Sequence, residues 1–192
     1  MIRALYNWTM SLAQSRHALA ALAFVAFIES SVFPVPPDVL MIPMILAAPR
    51  RAFLIATVAT VASVLGGALG YWIGATFYDG IGRPVLEFYG KDAHAASFFE
   101  RLNAWGAWVV LVAGVTPFPY KVITILSGMS NLSFTVFMFA SLLARGLRFF
   151  LVAALLWKFG APIRDFIERR LGLMFTLACM LLIGGFVVVR YL

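Results

Sequence analysis

The chain has 192 residues, is 63% hydrophobic and only 12% charged, and carries a formal net charge of +7. A soluble domain covers its surface with roughly 25% charged residues, so this composition excludes an ordinary water-soluble globule as well as a disordered or collagen-like chain. The length suits one domain, and much of its exterior must face something other than water.

The apolar residues gather into four long blocks, 18–48, 52–78, 102–144 and 171–189. A helix needs about 20 apolar residues to cross roughly 30 Å of hydrocarbon, and lipid forces every backbone group into an internal hydrogen bond. The expected fold is an all-α integral membrane protein, a multi-span helical bundle forming one membrane domain over residues 1–192. Trp8, Tyr71, Trp72, Trp105, Trp108 and Trp157 fall near expected span ends, where amphipathic rings favour the interface.

Residues 1–17 mix polar and apolar side chains and suit an amphipathic interfacial segment. Arg3 and Arg16 precede an apolar run, but that run continues through Glu29 into Pro34-Val35-Pro36-Pro37 without a small-x-small cleavage site, so it is expected to be retained. Block 18–48 is too long for one span and too short for two. Pro34, Pro36 and Pro37 interrupt it, with Pro43 following, and proline cannot continue a helix through such a run. Broken helix at membrane depth is tolerated only inside protein or beside a polar cavity. The expectation is a re-entrant hairpin over 29–48, followed by the span 52–78, together forming a first unit over 18–78. A complete pair of kinked spans is the other arrangement this block allows.

Along 52–78, Gly66, Gly70 and Gly74 recur every four residues and make a stripe where another helix can approach closely. Residues 79–101 carry mixed charge and read as an amphipathic linker, a surface helix pair joined at Gly90. A second unit is expected over 102–160, with a re-entrant hairpin at 114–130 broken at Pro117 and Pro119 and a span beginning near Phe134. Its break, Thr116 to Val122, is followed by a short apolar helix and then by the polar turn Ser127-Gly128-Met129-Ser130-Asn131. The two breaks share Pro-x-Pro-x-charge-Val at an offset of 83 residues, with Asp38 in one where Lys121 stands in the other. Repeated units with discontinuous helices in matching positions point to a transporter's binding site. Residues 161–170 read as a short charged connection, and 171–189 as a C-terminal span.

With a cytoplasmic N-terminus, Arg3, Arg16, Arg50, Arg51, Lys158, Arg164, Arg169 and Arg170 face the cytoplasm, against Arg83, Lys91, Arg101 and Arg190 outside. That bias agrees with the positive-inside rule and sets the two hairpins on opposite sides, as inverted repeats require. His17 and His94 lie in solvated contexts. Cys179 stands alone, which allows no intrachain disulfide and no cysteine metal cluster.

Charges inside the apolar blocks and the expected span 134–157 carry the functional signal, because an ionisable group there needs a cavity or a partner. They are Glu29, Asp38, Lys121, Arg145 and Arg148. Asp38 stands where it can cap the second half-helix or line a cavity. Arg145 and Arg148 are three residues apart, on one helical face. Two readings stay open: buried pairs that hold broken helices together, or a site for an anionic head group with an acid that takes and releases a proton.

The order of Glu29, Phe33-Pro34-Val35-Pro36-Pro37-Asp38, Gly70-Tyr71-Trp72-Ile73-Gly74 and Thr116-Pro117-Phe118-Pro119-Tyr120-Lys121 through Ser127-Gly128 resembles the DedA family, also called SNARE-associated or VTT-domain proteins. It is most similar to the short YqaA-type branch, over roughly residues 18–160. The resemblance implies a bacterial inner-membrane protein with two opposed re-entrant hairpins, acting in envelope homeostasis. It also implies lipid movement across the bilayer, of a phospholipid or a polyprenyl phosphate, driven by the proton motive force as a flippase or scramblase-like activity. The family's essential acids fall on Glu29 and Asp38. Many relatives carry Arg-Phe-x-Pro-x-x-Arg in the second hairpin, and with its proline on Pro117 those arginine positions hold Gly114 and Tyr120 here. Lys121 stands next to the second, and Arg145 or Arg148 could replace the first from the following helix.

The expected partners are a membrane lipid and protons. Nucleic acid is not expected, because the positive charge divides among membrane flanks and interior. A homo-oligomer is admitted. No cofactor, no metal and no enzymatic activity are expected, since neither metal-ligand spacing nor a nucleophile with its base can be read. A non-transporting membrane organiser is the competing functional class.

Overall fold

A computed structural model describes residues 17–31, 36–78, 80, 92–116 and 119–169, except for the side chains of 92–96, 161 and 163–169. Pro34 and Pro117, nearly all of the N-terminal segment 1–17, most of 79–91 and the span 171–189 lie outside the described residues. Among those described the chain is all helical: α1 Ala18–Ser31, α2 Asp38–Ala47, a 3₁₀ turn Pro49–Arg51, α3 Ala52–Phe77, α4 Asp92–Ala104, α5 Gly106–Val115, α6 Tyr120–Met129 and α7 Phe134–Arg169.

Two segments are long and apolar enough to cross a membrane, Pro49–Phe77 with 29 residues and Phe134–Gly160 with 27. At 1.5 Å per residue each extends about 40 Å, more than the roughly 30 Å of bilayer hydrocarbon. The other apolar helices, α1, α2 and α5, have 14, 10 and 10 residues. Pro36 and Pro37 lie ahead of α2, and Pro119 ahead of α6. Pro43 is inside α2, where its missing N–H removes one ladder bond.

The long helices pack antiparallel around two apolar cores. One joins Leu22 of α1, Met41 and Ile45 of α2, Ile55 and Ala59 of α3, and Phe149 of α7. The other joins Tyr71 of α3, Val110 of α5, Ile123 of α6 and Phe137 of α7. Helix α1 lies along α3 and α5 along α7, while α2 packs on α7 and α6 on α3. The outward faces are apolar too: Leu65, Trp72, Phe139, Leu143, Leu147 and Leu151 are each more than half exposed. A surface of that kind is stable against lipid and not against water.

Two elements differ from the sequence reading. Residues 161–170 read as a connection in the sequence, but α7 continues to Arg169 through a kink at Phe159, whose φ of −119° and ψ of 18° leave the helical region. Pro162 falls in the first turn after that kink, where a missing N–H costs no hydrogen bond. Ser127 and Gly128 belong to α6, not to the turn behind it. The reversal comes at Asn131, with φ of 56°. There Leu132 N–H donates to Ser127 O at 3.0 Å and Asn131 N–H to Gly128 O at 3.1 Å, a Schellman ending. Tyr71 Oη donates to Leu132 O at 2.6 Å and Asn103 Nδ2 to Ser130 O at 2.7 Å, fixing this turn.

Candidate functional site

Between the two apolar cores lies a polar layer. Ser63 is its marker on α3, fourteen residues from either end of Pro49–Phe77, and Arg145 stands eleven residues into Phe134–Gly160. Both therefore sit near mid-height of their helices. A lone cation at the centre of a span costs about 2.5–3.5 kcal/mol on insertion scales, so Arg145 and Arg148 each require partners.

Each finds a carboxylate from a different side of the first proline break. Arg145 Nη2 donates to Glu29 Oε2 of α1 at 3.0 Å, with side chains 2% and 15% exposed. Arg148 Nη2 donates to Asp38 Oδ2 of α2 at 2.7 Å, with side chains 23% and 20% exposed. Arg148 Nη1 also donates to the carbonyl of Thr116 at 3.1 Å, at the end of α5. Asp38 stands in the first turn of α2, and its carboxylate takes part in the ion pair from there. One helix, α7, thus ties both sides of one break and the edge of the other through two arginines three residues apart.

The inner pair belongs to a closed ring whose direction is fixed by chemistry. Arg145 Nε can only donate, and it donates to Ser63 Oγ at 2.6 Å. The Ser63 proton then goes to Ser30 Oγ at 2.6 Å, and the Ser30 proton to Glu29 Oε2 at 3.2 Å. Tyr120 and Phe149 hold the same guanidinium between their rings, 4.9 Å and 4.6 Å from the ring centres. Tyr120 Oη and Ser141 Oγ are buried neighbours, yet neither meets hydrogen-bond geometry among the described residues.

The glycine stripe brings the broken elements onto α3. A Cβ on Gly66 would collide with the backbone of Phe27 in α1, and one on Gly74 with the backbone of Ile125 in α6. Gly70 faces both, meeting Thr124 and the carbonyl of Ser30. Thr124 Oγ1 closes the contact by donating to that carbonyl at 3.1 Å, or to Lys121 O at 2.8 Å. Lys121 itself is half-buried in the first turn of α6.

The sequence profile described as the VTT domain matches residues 15–158. The chain belongs to the VTT domain family. It is 40% identical over 168 residues to an uncharacterized protein of Haemophilus influenzae, covering 85% of this chain and 87% of that one. An uncharacterized protein of Histophilus somni matches with the same identity and coverage. No solved structure matches. Family membership and two long apolar helices together point to a membrane protein.

Within this VTT domain the departures noted at Gly114 and Tyr120 acquire a physical reason. A Cβ on Gly114 would press into Ala144 Cβ of α7, so the close approach of α5 and α7 leaves no room for an arginine there. Tyr120 sits fully buried against the Arg145 guanidinium. The cations come instead from α7. Ser30, Ser63, Tyr120 and Thr124 were not singled out as site residues from sequence. Ser and Thr cost little inside a span, so their presence raised no signal. The one available clue was Ser63 lying one helical turn before Gly66 on the same face.

Proposed function

We propose that this protein carries lipids with a phosphate-bearing head group, phospholipid or polyprenyl phosphate, across the bacterial inner membrane, with proton coupling, in support of envelope homeostasis. The observation that carries the reading is the outer pair, Asp38 with Arg148, partly accessible at mid-height of an apolar bundle. A proton arriving on Asp38 removes its negative charge, and Arg148 then offers its donors to an anionic oxygen of the lipid. Loss of that proton restores the pair and releases the head group. Glu29, Arg145 and Lys121 complete the polar lining in this reading. The crossed packing of α2 on α7 and α6 on α3 supports two inverted re-entrant hairpins. The N-terminus is cytoplasmic in this scheme, and no covalent chemistry is involved.

The test is a labelled-lipid transbilayer assay in vesicles with an imposed pH gradient. Wild type should move lipid faster than empty vesicles and respond to the gradient. Asp38→Asn, Glu29→Gln and Lys121→Ala should each slow it by about tenfold, the factor expected for one lost charge-assisted contact. Equal movement in every protein and in empty vesicles would sink the transporter proposal. The closed Glu29–Arg145 ring favours a second reading for that pair, a structural clamp in a non-transporting organiser. Under it, Glu29→Gln lowers stability and no protein moves lipid.

A further inference from the structure

Two cavities meet at Trp105 and Trp108, and they differ in character. One, of about 600 Å³, runs down α5 past Val109, Val112 and Ala113 to Thr116, with Ile123 of α6 as its far wall. Its positions follow helical spacing from Trp105, at 3, 4, 7, 8 and 11 residues, and form one continuous stripe. Among the described residues that line it, all but Thr116 are apolar. The other, of about 570 Å³, opens beside the same two tryptophans onto Asn103, Asn131 and Ser133 and onto the first turn of α5. Both volumes fall within the roughly 300–1,000 Å³ of ligand sites.

We propose that the two cavities together form a docking site for one phospholipid of the surrounding leaflet, its phosphate in the Asn131–Ser133 pocket and one hydrocarbon tail in the α5 groove. The proposal rests on the lipid reading above and names where the lipid is first held. Three observations select this occupant. Polar and apolar cavities are contiguous, as an amphiphile requires. From Trp105 to Thr116 the groove is eleven residues, about 16 Å, roughly half the hydrocarbon thickness and so the depth of one leaflet. The polar pocket lies beside the start of α7 at Phe134, at the end of an apolar span, where exposed Trp105 and Trp108 suit the interface.

The pocket's chemistry fits a phosphate. Beside the start of α5 at Gly106 the pocket is lined by Asn131 and Ser133, whose amide and hydroxyl groups can donate to phosphate oxygens. The deep end reaches Thr116, whose carbonyl takes the hydrogen bond from Arg148. A docked lipid therefore has its tail beside the candidate transport centre before its head group moves.

The experiment uses the full chain in vesicles containing phosphatidylglycerol with a diazirine on one acyl chain, followed by peptide mapping after illumination. Adducts in 105–116 should exceed those on the equally exposed face of α7 at Leu143, Leu147 and Leu151 by about tenfold. Val112→Trp, which fills the groove from an exposed position, should bring them down to the α7 level, and Leu147→Trp should not. Excess inorganic phosphate should leave labelling unchanged. Equal labelling of both faces, loss of labelling on adding phosphate, or a disulfide between Val112→Cys and native Cys179 would each overturn the proposal. Labelling that persists in a preparation that moves no lipid upholds docking and rejects transport. Lipid movement with uniform labelling rejects the docking site alone.

Discussion

Arg145 keeps its charge at mid-height because Glu29, Ser63 and two aromatic rings share the work of replacing water. Breaking a buried pair by removing one partner typically costs about 3–5 kcal/mol, whereas replacing both partners with apolar groups is often neutral. Arg145→Met should therefore lower the thermal midpoint in detergent steeply, and the double substitution with Glu29→Met should recover most of it. No recovery in the double variant would reject a pairwise origin for the loss. Tyr120 gives the opposite sign. Its hydroxyl is buried with no hydrogen-bond partner among the described residues, so Tyr120→Phe keeps the ring over Arg145 and removes that polar group, with stability unchanged or raised. Tyr120→Leu loses the cation–π contact and should cost about 1–2 kcal/mol by the same measurement. At this scale the sequence exposes charges well, because Glu29, Asp38, Arg145 and Arg148 interrupt apolar stretches. It does not expose which acid meets which base, since that pairing spans 116 and 110 residues. Tyr120 hides for another reason: a tyrosine in a span reads as packing.

Helix contacts depend on backbone approach more than on side-chain size. Gly66, Gly74 and Gly128 each leave no space for a Cβ because a neighbouring backbone carbonyl occupies it, from Phe27, Ile125 and Tyr71. Among the described residues Gly146 has only a distant methyl of Thr60 nearby, at 3.9 Å. Gly66→Ala, Gly74→Ala and Gly128→Ala should each destabilise by at least the roughly 1–3 kcal/mol of overpacking, because backbone cannot step aside as a side chain can. Gly146→Ala should stabilise by several tenths of a kcal/mol through helix propensity. Thermal scans of the four variants decide it, and a Gly66→Ala as stable as Gly146→Ala would contradict the described approach of α1. The stripe Gly66, Gly70, Gly74 is visible in sequence as a period of four. Its division between α1 and α6 is not, since small residues announce a close approach without naming the partner. The extent of α7 is hidden likewise. Gly160-Ala161-Pro162 reads as a stop, yet a kink one residue earlier lets proline begin a new helical stretch.

For the whole molecule, the order of the apolar cores determines which ends are apart. Ile55 and Ala59 share a core with Phe149 and Ala153, while Tyr71 shares one with Phe137 and Ala140, so α3 and α7 run in opposite directions. Tyr71 also holds the turn at Leu132. Arg51 at the start of α3 and Asn131 ahead of α7 therefore lie at opposite ends of the bundle, separated by the 26 residues of α3, about 39 Å. That exceeds the hydrocarbon thickness of roughly 30 Å, so a bundle spanning the bilayer must present the two positions to different compartments. In a background with Cys179→Ser, a membrane-impermeant thiol reagent applied to intact cells should reach Asn131→Cys and not Arg51→Cys, and in inverted vesicles the pattern should reverse. The predicted orientation follows from the excess of Lys and Arg assigned to the side of Arg50 and Arg51. A reversed pattern would refute the orientation while leaving the span intact. Labelling of both positions from one side would refute the spanning arrangement, and with it the placement of Glu29, Asp38, Arg145 and Arg148 at membrane depth.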